Sequence, residues 1–209
     1  MSDSDWPLNG DGVWCEVLER PVASGKPALF LDRDGVIVEE VHYLHKVADV
    51  RLMPGVTDLV LAANRASSPV IVVTNQSGVG RGLYGWADFD AVQKRIAAEL
   101  NEAGACWNAV YASPFPPGDY PMRKPNPGML LAGVAAFGVD LKKSWILGDR
   151  ATDMEAGLRA GIAGGLFLGA GYEPGELEAA LDHGCEQFVV ERIVTPADAL
   201  DRLAFLSRA

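Results

Sequence analysis

The stretch Pro27-Ala-Leu-Phe-Leu-Asp-Arg-Asp-Gly-Val-Ile37 holds a short apolar run that is followed directly by two aspartates. Ala28 to Leu31 is typical of a buried strand, so Asp32 and Asp34 lie where that strand leaves the core. Two carboxylates this close repel each other, and burying each is unfavourable unless a counter-charge offsets it. Mg²⁺ would do so, since it binds a few carboxylate oxygens together with water and phosphate. The alternative is an ordinary turn, in which Asp and Gly35 are common.

Strands and helices alternate along the chain from Pro27 onward. Alternation of this kind indicates parallel strands, right-handed crossovers and a doubly wound α/β sheet in three α/β/α layers. We expect no large cap domain, because residues 35–69 hold a single short helix and the segment from Thr74 to Trp145 contains no obvious extra domain. The further predicted strands are Val70–Val73, Trp107–Tyr111, Trp145–Leu147, Leu166–Leu168 and Phe188–Val190. Five helices are predicted. The first begins at Pro54, the second spans Phe89–Leu100, and the third has Asn126 as N-cap and Pro127 in its first position. The fourth runs through Ala156–Ala160, and the fifth follows Thr195-Pro196.

Residues 1–26 have no clean hydrophobic period, so we interpret them as an N-terminal extension. Val13, Trp14, Val17 and Leu18 are apolar enough to dock it onto the rest of the chain. Residues 27–209 are then expected to form one catalytic domain, which suits a chain of 209 residues.

Composition excludes several classes of function. A net charge of −10 argues against binding to nucleic acid or to an anionic membrane, although a local cationic pocket can still hold a phosphorylated ligand. The three cysteines are far apart and form no metal-binding cluster. The N-terminus lacks the features of a signal peptide, and no apolar run approaches the ~20 residues that span a bilayer. We expect a cytoplasmic monomer.

Polar residues follow three more predicted strand ends or loops. Thr74-Asn-Gln-Ser-Gly78 offers a hydroxyl, amides and backbone N–H groups for a phosphate, or it is a polar loop without a ligand. Arg123-Lys124 lies between prolines and either balances the aspartates or is solvated. Asp149 ends the fourth strand, where it can give a metal another oxygen. Asp153 either orients Lys124 or caps the following helix.

The order Asp-x-Asp, Thr, Lys, Asp resembles the haloacid dehalogenase (HAD) superfamily of aspartate-nucleophile phosphatases. Four motifs between about Phe30 and Phe167 carry the resemblance: Phe-Leu-Asp-Arg-Asp-Gly, Val-Thr-Asn-Gln-Ser-Gly, Arg-Lys-Pro-Asn-Pro-Gly-Met-Leu-Leu and Leu-Gly-Asp-Arg. They are similar to the D-glycero-D-manno-heptose 1,7-bisphosphate 7-phosphatase branch, which shares ancestry with histidinol-phosphatases. The resemblance implies an HAD-like Rossmannoid fold and a Mg²⁺-dependent phosphomonoesterase that acts on a small phosphorylated metabolite, such as that heptose bisphosphate or, alternatively, histidinol-phosphate.

The resemblance also implies roles for individual residues. Asp32 is expected to attack phosphorus, and Asp34 to act as general acid and then as general base. Mg²⁺ is expected on Asp32, Asp149 and the carbonyl of Asp34, while Thr74 and Lys124 bind the phosphoryl oxygens with support from Asp153. The residues expected to contact substrate are Glu40, His42, Tyr43, Asn75, Gln76, Ser77, Arg123 and Arg150.

One segment departs from the branch, which commonly carries a zinc-binding loop of Cys and His residues just before the Arg-Lys pair. Residues 111–122 contain neither residue type, so no zinc is expected there. Two rival functions come from other classes. A phosphoacceptor signalling domain would need a further Asp on a central strand, and Val110-Tyr111 offers none. A non-catalytic sugar-phosphate binding module would not need both Asp32 and Asp34.

Overall fold

The computed structural model describes residues 6–18, 22–169 and 173–206. Seven strands of this part of the chain form one sheet in the order β1-β4-β3-β2-β5-β6-β7. Neighbouring strands run parallel except for β1, which pairs with β4 in the antiparallel direction. The predicted doubly wound sheet is therefore confirmed. The strands are β1 (Trp14–Val17), β2 (Leu29–Leu31), β3 (Val70–Asn75), β4 (Ala109–Ser113), β5 (Trp145–Gly148), β6 (Gly164–Leu168) and β7 (Val189–Ile193).

Helices cover both faces of the sheet. The side chains of β2 alternate between two cores: Leu29 and Leu31 belong to one cluster, and Phe30 belongs to the other. Helices α1, α3 and α7 pack on the first face and α4, α5 and α6 on the second, which gives the expected three layers. The helices are α1 (Val56–Arg65), α2 (Ser77–Gly80), α3 (Trp86–Glu102), α4 (Gly128–Phe137), α5 (Ala151–Ala160), α6 (Glu176–Leu181) and α7 (Ala199–Arg202).

The start of α4 differs from the prediction by one residue. Pro127 is the N-cap and the helix begins at Gly128, so the expectation of Asn126 as N-cap was wrong. The Asn126 amide group instead donates to Asp119 Oδ1 at 2.9 Å and to the Tyr120 carbonyl at 3.0 Å. Its Oδ1, the atom that would cap the helix, accepts from Arg159 Nη1 at 2.7 Å.

The N-terminal segment adds a strand to the sheet. Trp14 on β1 is 1% exposed, and its ring centroid lies 5.7 Å from that of Trp6, 5.5 Å from Trp86 and 5.2 Å from Phe89. Because two of these rings belong to α3, the segment packs into the same core as the rest of the sheet. No helix in the described ranges is long and apolar enough to cross a membrane.

Candidate active site

The predicted polar residues meet at one edge of the sheet. Leu31 of β2 pairs with Val72 of β3 and with Leu147 of β5, so the carboxyl ends of these three parallel strands lie side by side. Asp32 and Asp149 follow two of these ends and Thr74 lies near the third. Ligands collect at this edge in doubly wound sheets.

A cleft of about 450 Å³ opens over these strand ends. All eight residues expected to contact substrate line it, together with four of the expected catalytic residues. The lining residues are Asp32, Asp34, Glu40, Val41, His42, Tyr43, Thr74, Asn75, Gln76, Ser77, Arg81, Tyr84, Pro117, Arg123, Lys124, Arg150, Thr152, Glu173 and Glu176.

Three carboxylates converge beneath the cleft, and Asp32 is the one of them that lines it. Oxygens of Asp32, Asp149 and Asp153 lie within 4.8 Å of one another, and all three residues are buried. Asp149 Oδ1 is buried and accepts no hydrogen bond from the described residues. Gly35 makes the close approach of Asp149 possible, because a Cβ on Gly35 would lie 2.2 Å from Asp149 Oδ2. Gly35 also has a φ of +75°, which side-chain-bearing residues rarely adopt.

Lys124 is the buried cation of this cluster. Its Nζ lies 3.1 Å from Asp32 Oδ1 and 2.5 Å from Asp153 Oδ1. The Asn75 amide holds the Lys124 backbone, since its oxygen accepts from Lys124 N at 3.1 Å and its nitrogen donates to the Lys124 carbonyl at 3.0 Å. Asp153 Oδ2 also accepts the backbone N–H of Arg150 at 3.1 Å. Asp153 thus makes both of the contacts considered for it, to Lys124 and to the first turn of α5.

The electrostatics of the cluster favour a further positive charge. Burial raises the pKa of Asp32 to about 6 against the opposing effect of Lys124, with smaller contributions from Asp153 and Asp34. Burial, Asp32 and Asp153 raise the pKa of Asp149 to about 8. One ammonium therefore does not compensate three buried carboxylates. A hard divalent cation fits this set of ligands, because all of them are carboxylate oxygens. One of these oxygens, Asp149 Oδ1, has no hydrogen-bond partner among the described residues.

Asp34 turns its carboxylate away from this cluster toward Arg33 and Gln76. Arg33 Nε donates to Asp34 Oδ1 at 3.0 Å, and Arg33 Nη2 donates to Asp34 Oδ2 at 2.8 Å. Burial disfavours the charge on Arg33, but the Asp34 carboxylate outweighs it and raises the pKa of Arg33. The carboxyl cluster consequently contains Asp32, Asp149 and Asp153, and the side chain of Asp34 lies outside it.

Arginines surround the mouth of the cleft. Arg81, Arg123 and Arg150 all line it, and burial together with repulsion from the other two lowers the pKa of Arg123. These arginines lie in the same cleft as Glu40, Glu173 and Glu176, and they are the groups there that can bind an anionic ligand. Arg81 was not predicted as a site residue. Its position four residues after Ser77, in the Thr74–Gly78 segment that can bind phosphate, is a sequence signal that could have identified it. Its Nη1 donates to the Tyr43 hydroxyl at 2.9 Å.

The segment of residues 111–122, where no zinc is expected, is organised around Arg123. The Arg123 Nε group donates to the carbonyls of Phe115 and Pro116 at 3.1 and 2.9 Å. The rings of Phe115 and Tyr120 stack with their centroids 4.3 Å apart. These contacts tie the loop to the residue that precedes Lys124.

Glu173 and Glu176 of the cleft were not predicted from the sequence either. Helix α6, which carries Glu176, was not predicted, and no local motif marks either residue. The Glu176 carboxylate accepts from the backbone N–H of Ala151 at 2.6 Å. This contact connects α6 to the first turn of α5 beside Asp149.

Comparison with known proteins agrees with the fold. A profile of the HAD-hydrolase-like family matches residues 121–198. The chain is 43% identical over 180 residues to the D-glycero-beta-D-manno-heptose-1,7-bisphosphate 7-phosphatase of Mesorhizobium japonicum. This alignment covers 81% of this chain and 83% of that protein. It is 37% identical over 173 residues to the D-glycero-D-manno-heptose-1,7-bisphosphate 7-phosphatase of Thermosynechococcus vestitus, with 77% and 88% covered.

Solved structures extend the comparison to nearly the whole chain. A HAD-like phosphatase from Mesorhizobium loti aligns with a TM-score of 0.84 and 37% identity over 96% of both chains. The D,D-heptose 1,7-bisphosphate phosphatase from B. bronchiseptica, complexed with magnesium and phosphate, aligns with a TM-score of 0.74 and 27% identity over 88% of this chain and 99% of that one. The chain belongs to the HAD-like phosphatase family.

Proposed function

We propose that this chain is a Mg²⁺-dependent phosphomonoesterase that uses Asp32 as its nucleophile. The observation that carries the proposal is the convergence of Asp32, Asp149 and Asp153 around the buried Lys124 amine, at the base of an open cleft. A binding module without catalysis would have little need for such a cluster, because each buried carboxylate lowers the stability of the fold unless it is compensated.

The metal would be held by Asp32, Asp149 and the backbone carbonyl of Asp34. Two observations support the fit: the buried and unpartnered Asp149 Oδ1, and the excess of carboxylates over cations at the base of the cleft. When bound, the metal would offset the repulsion between the nucleophile and the phosphoryl group. A structural neighbour from B. bronchiseptica is complexed with magnesium and phosphate, which supports the same ligands here.

The protein residues would divide the reaction into two steps. In the first, an oxygen of Asp32 forms a bond to phosphorus while the bond between phosphorus and the leaving oxygen breaks, and protonated Asp34 gives its proton to that oxygen. In the second, the Asp34 carboxylate takes a proton from water as the water oxygen attacks phosphorus and the bond to Asp32 breaks. Thr74 and Lys124 would hold the phosphoryl oxygens in both steps.

We propose a sugar bisphosphate as the substrate, with D-glycero-D-manno-heptose 1,7-bisphosphate as the first candidate. Relatives at 43% and 37% identity are named as phosphatases of this compound. The three arginines at the rim of the cleft would suit a second phosphate group at a distance from the one that is hydrolysed. Histidinol-phosphate has only one phosphate and would engage fewer of these arginines.

Release of inorganic phosphate tests the proposal. We expect turnover of the heptose bisphosphate to exceed that of histidinol-phosphate and other monophosphates, to stop with EDTA and to return with Mg²⁺. Asp32→Asn should abolish turnover while leaving the fold intact. Asp58→Asn, at an exposed position in the first turn of α1, is the matched control and should keep full activity. Normal turnover by Asp32→Asn would refute the assignment of the nucleophile.

A further inference from the structure

Arg33 lies between the two aspartates of the first motif and has no role in the steps above. It is fully buried at 0% exposure. Its guanidinium donates to both carboxylate oxygens of Asp34, from Nε at 3.0 Å and from Nη2 at 2.8 Å. The guanidinium carbon lies 5.3 Å from the centre of the Phe89 ring, so its position is fixed from another side as well.

Gln76 completes this arrangement with both ends of its amide. Its nitrogen donates to Asp34 Oδ2 and to Thr74 Oγ1, each at 2.8 Å. Its oxygen accepts from Arg33 Nη2 at 3.0 Å and from the Tyr84 hydroxyl at 2.5 Å. An amide has two N–H donors and two acceptor lone pairs, so these four bonds use its full capacity. Gln76 borders the cleft, but it has no hydrogen bond left for a substrate.

The carboxyl group of Asp34 is nevertheless open to the cleft. Its side chain is 21% exposed, whereas that of Arg33 is 1% exposed. Oδ1 accepts one hydrogen bond from the described residues, so it has a lone pair that can still contact a group in the cleft. The bidentate fork fixes the plane of the carboxyl group, and a fixed orientation of a proton donor determines how well it reaches the leaving oxygen.

We propose that Arg33 and Gln76 are positioning residues. They hold Asp34, the general acid and base, in a fixed position relative to Thr74, which binds the phosphoryl group. The inference rests on the proposed function, because it gives Asp34 a proton to deliver. Gln76 links the two groups directly, since one amide nitrogen contacts both of their side chains. This clamp of Arg33 and Gln76 therefore fixes the distance between the Asp34 carboxyl group and the phosphoryl group that Thr74 binds.

The dependence of the rate on the leaving group separates this role from a merely structural one. An alkoxide leaving from a sugar phosphate needs a proton, whereas p-nitrophenolate leaves without one. The quantity to compare is kcat/KM, which covers the chemistry only up to formation of the phosphorylated Asp32. General loss of structure would reduce kcat/KM for both substrates alike, and misplacement of the acid would reduce it mainly for the sugar phosphate.

The test uses Arg33→Met and Gln76→Met in the full chain with Mg²⁺. We expect each variant to lower kcat/KM about 10²-fold for a sugar phosphate that the unaltered chain hydrolyses, and by less than about fivefold for p-nitrophenyl phosphate. Arg33→Lys keeps the charge but lacks the fork, so it should not restore the sugar phosphate rate. Arg95→Met removes an exposed arginine paired with Glu99 on α3 and should leave both rates unchanged.

Thermal melts establish that each variant is folded before its rates are compared. If Arg33→Met does not fold, Gln76→Met decides alone, because it leaves the Arg33–Asp34 pair in place. Equal losses on the two substrates, or no loss on either, would overturn the clamp. Failure of the proposed function would show separately, as normal turnover of both substrates by Asp32→Asn.

Discussion

Replacement of Gly35 by alanine tests the geometry of the metal site through a single methyl group. The added Cβ would lie 2.2 Å from Asp149 Oδ2, whereas ordinary contacts begin at 3.4 Å, so the carboxylate has to move by about 1.2 Å. A displacement of about 1 Å in a catalytic site costs about 10²-fold in rate. The left-handed φ of +75° adds a penalty of about 1–2 kcal/mol in stability.

The matched control is Gly104→Ala, at an exposed turn after α3. Gly104 has a φ of +79° and no atom within 4 Å of its virtual Cβ, so it bears the same backbone strain without any collision. We expect Gly104→Ala to lose about 1–2 kcal/mol in urea-induced unfolding, and Gly35→Ala to lose at least as much because its Cβ also collides with Asp149. Only Gly35→Ala should lose about 10²-fold in kcat and need more Mg²⁺ for half-maximal phosphate release.

Equal activity and equal Mg²⁺ requirement in the two glycine variants would refute this reasoning. Such a result would mean that Asp149 does not need its present position, and that the converging carboxylates are not the metal ligands. An activity loss in Gly104→Ala of the same size would instead assign the effect to backbone strain.

Two further predictions concern pH and the N-terminal strand. Burial, Asp32 and Asp153 raise the pKa of Asp149 to about 8, so the metal-free folded chain holds a proton that the unfolded chain releases near pH 4. Its stability should therefore fall as the pH rises from about 4 to 8, and Mg²⁺ should raise Tm more at pH 8 than at pH 5.5. Asp149→Asn should reduce this difference to the part that Asp32, with a pKa of about 6, contributes. An equal Mg²⁺ effect at both pH values in the unaltered chain would contradict the prediction. Trp14→Ala should lower the free energy of unfolding by about 3–5 kcal/mol in urea titrations, because Trp14 is 1% exposed within a cluster of aromatic rings. A loss below about 1 kcal/mol would mean that β1 contributes little to the core.

The sequence by itself was sufficient to predict six strands of the sheet and the edge at which Asp32, Thr74 and Asp149 meet. Runs such as Val70–Val73 are apolar because both faces of a parallel strand are covered, and this pattern is local. The ends of such runs mark the carboxyl edge, so Asp32, Thr74 and Asp149 could be placed together before any contact was known. The short edge strand Trp14–Val17 was not predicted, because its four residues have a mixed pattern of burial.

Only the tertiary structure decided which partner each polar side chain has. Asn75 ends β3 and Gln76 follows it, and both were expected to contact substrate. The amide of Gln76 instead holds Asp34, and that of Asn75 holds the Lys124 backbone. Arg33 is part of the motif that identifies the fold, but its burial against Phe89 depends on where α3 packs. Hydrophobic patterns are set by neighbours along the chain, whereas a hydrogen bond depends on a few tenths of an ångström between segments that are distant in sequence.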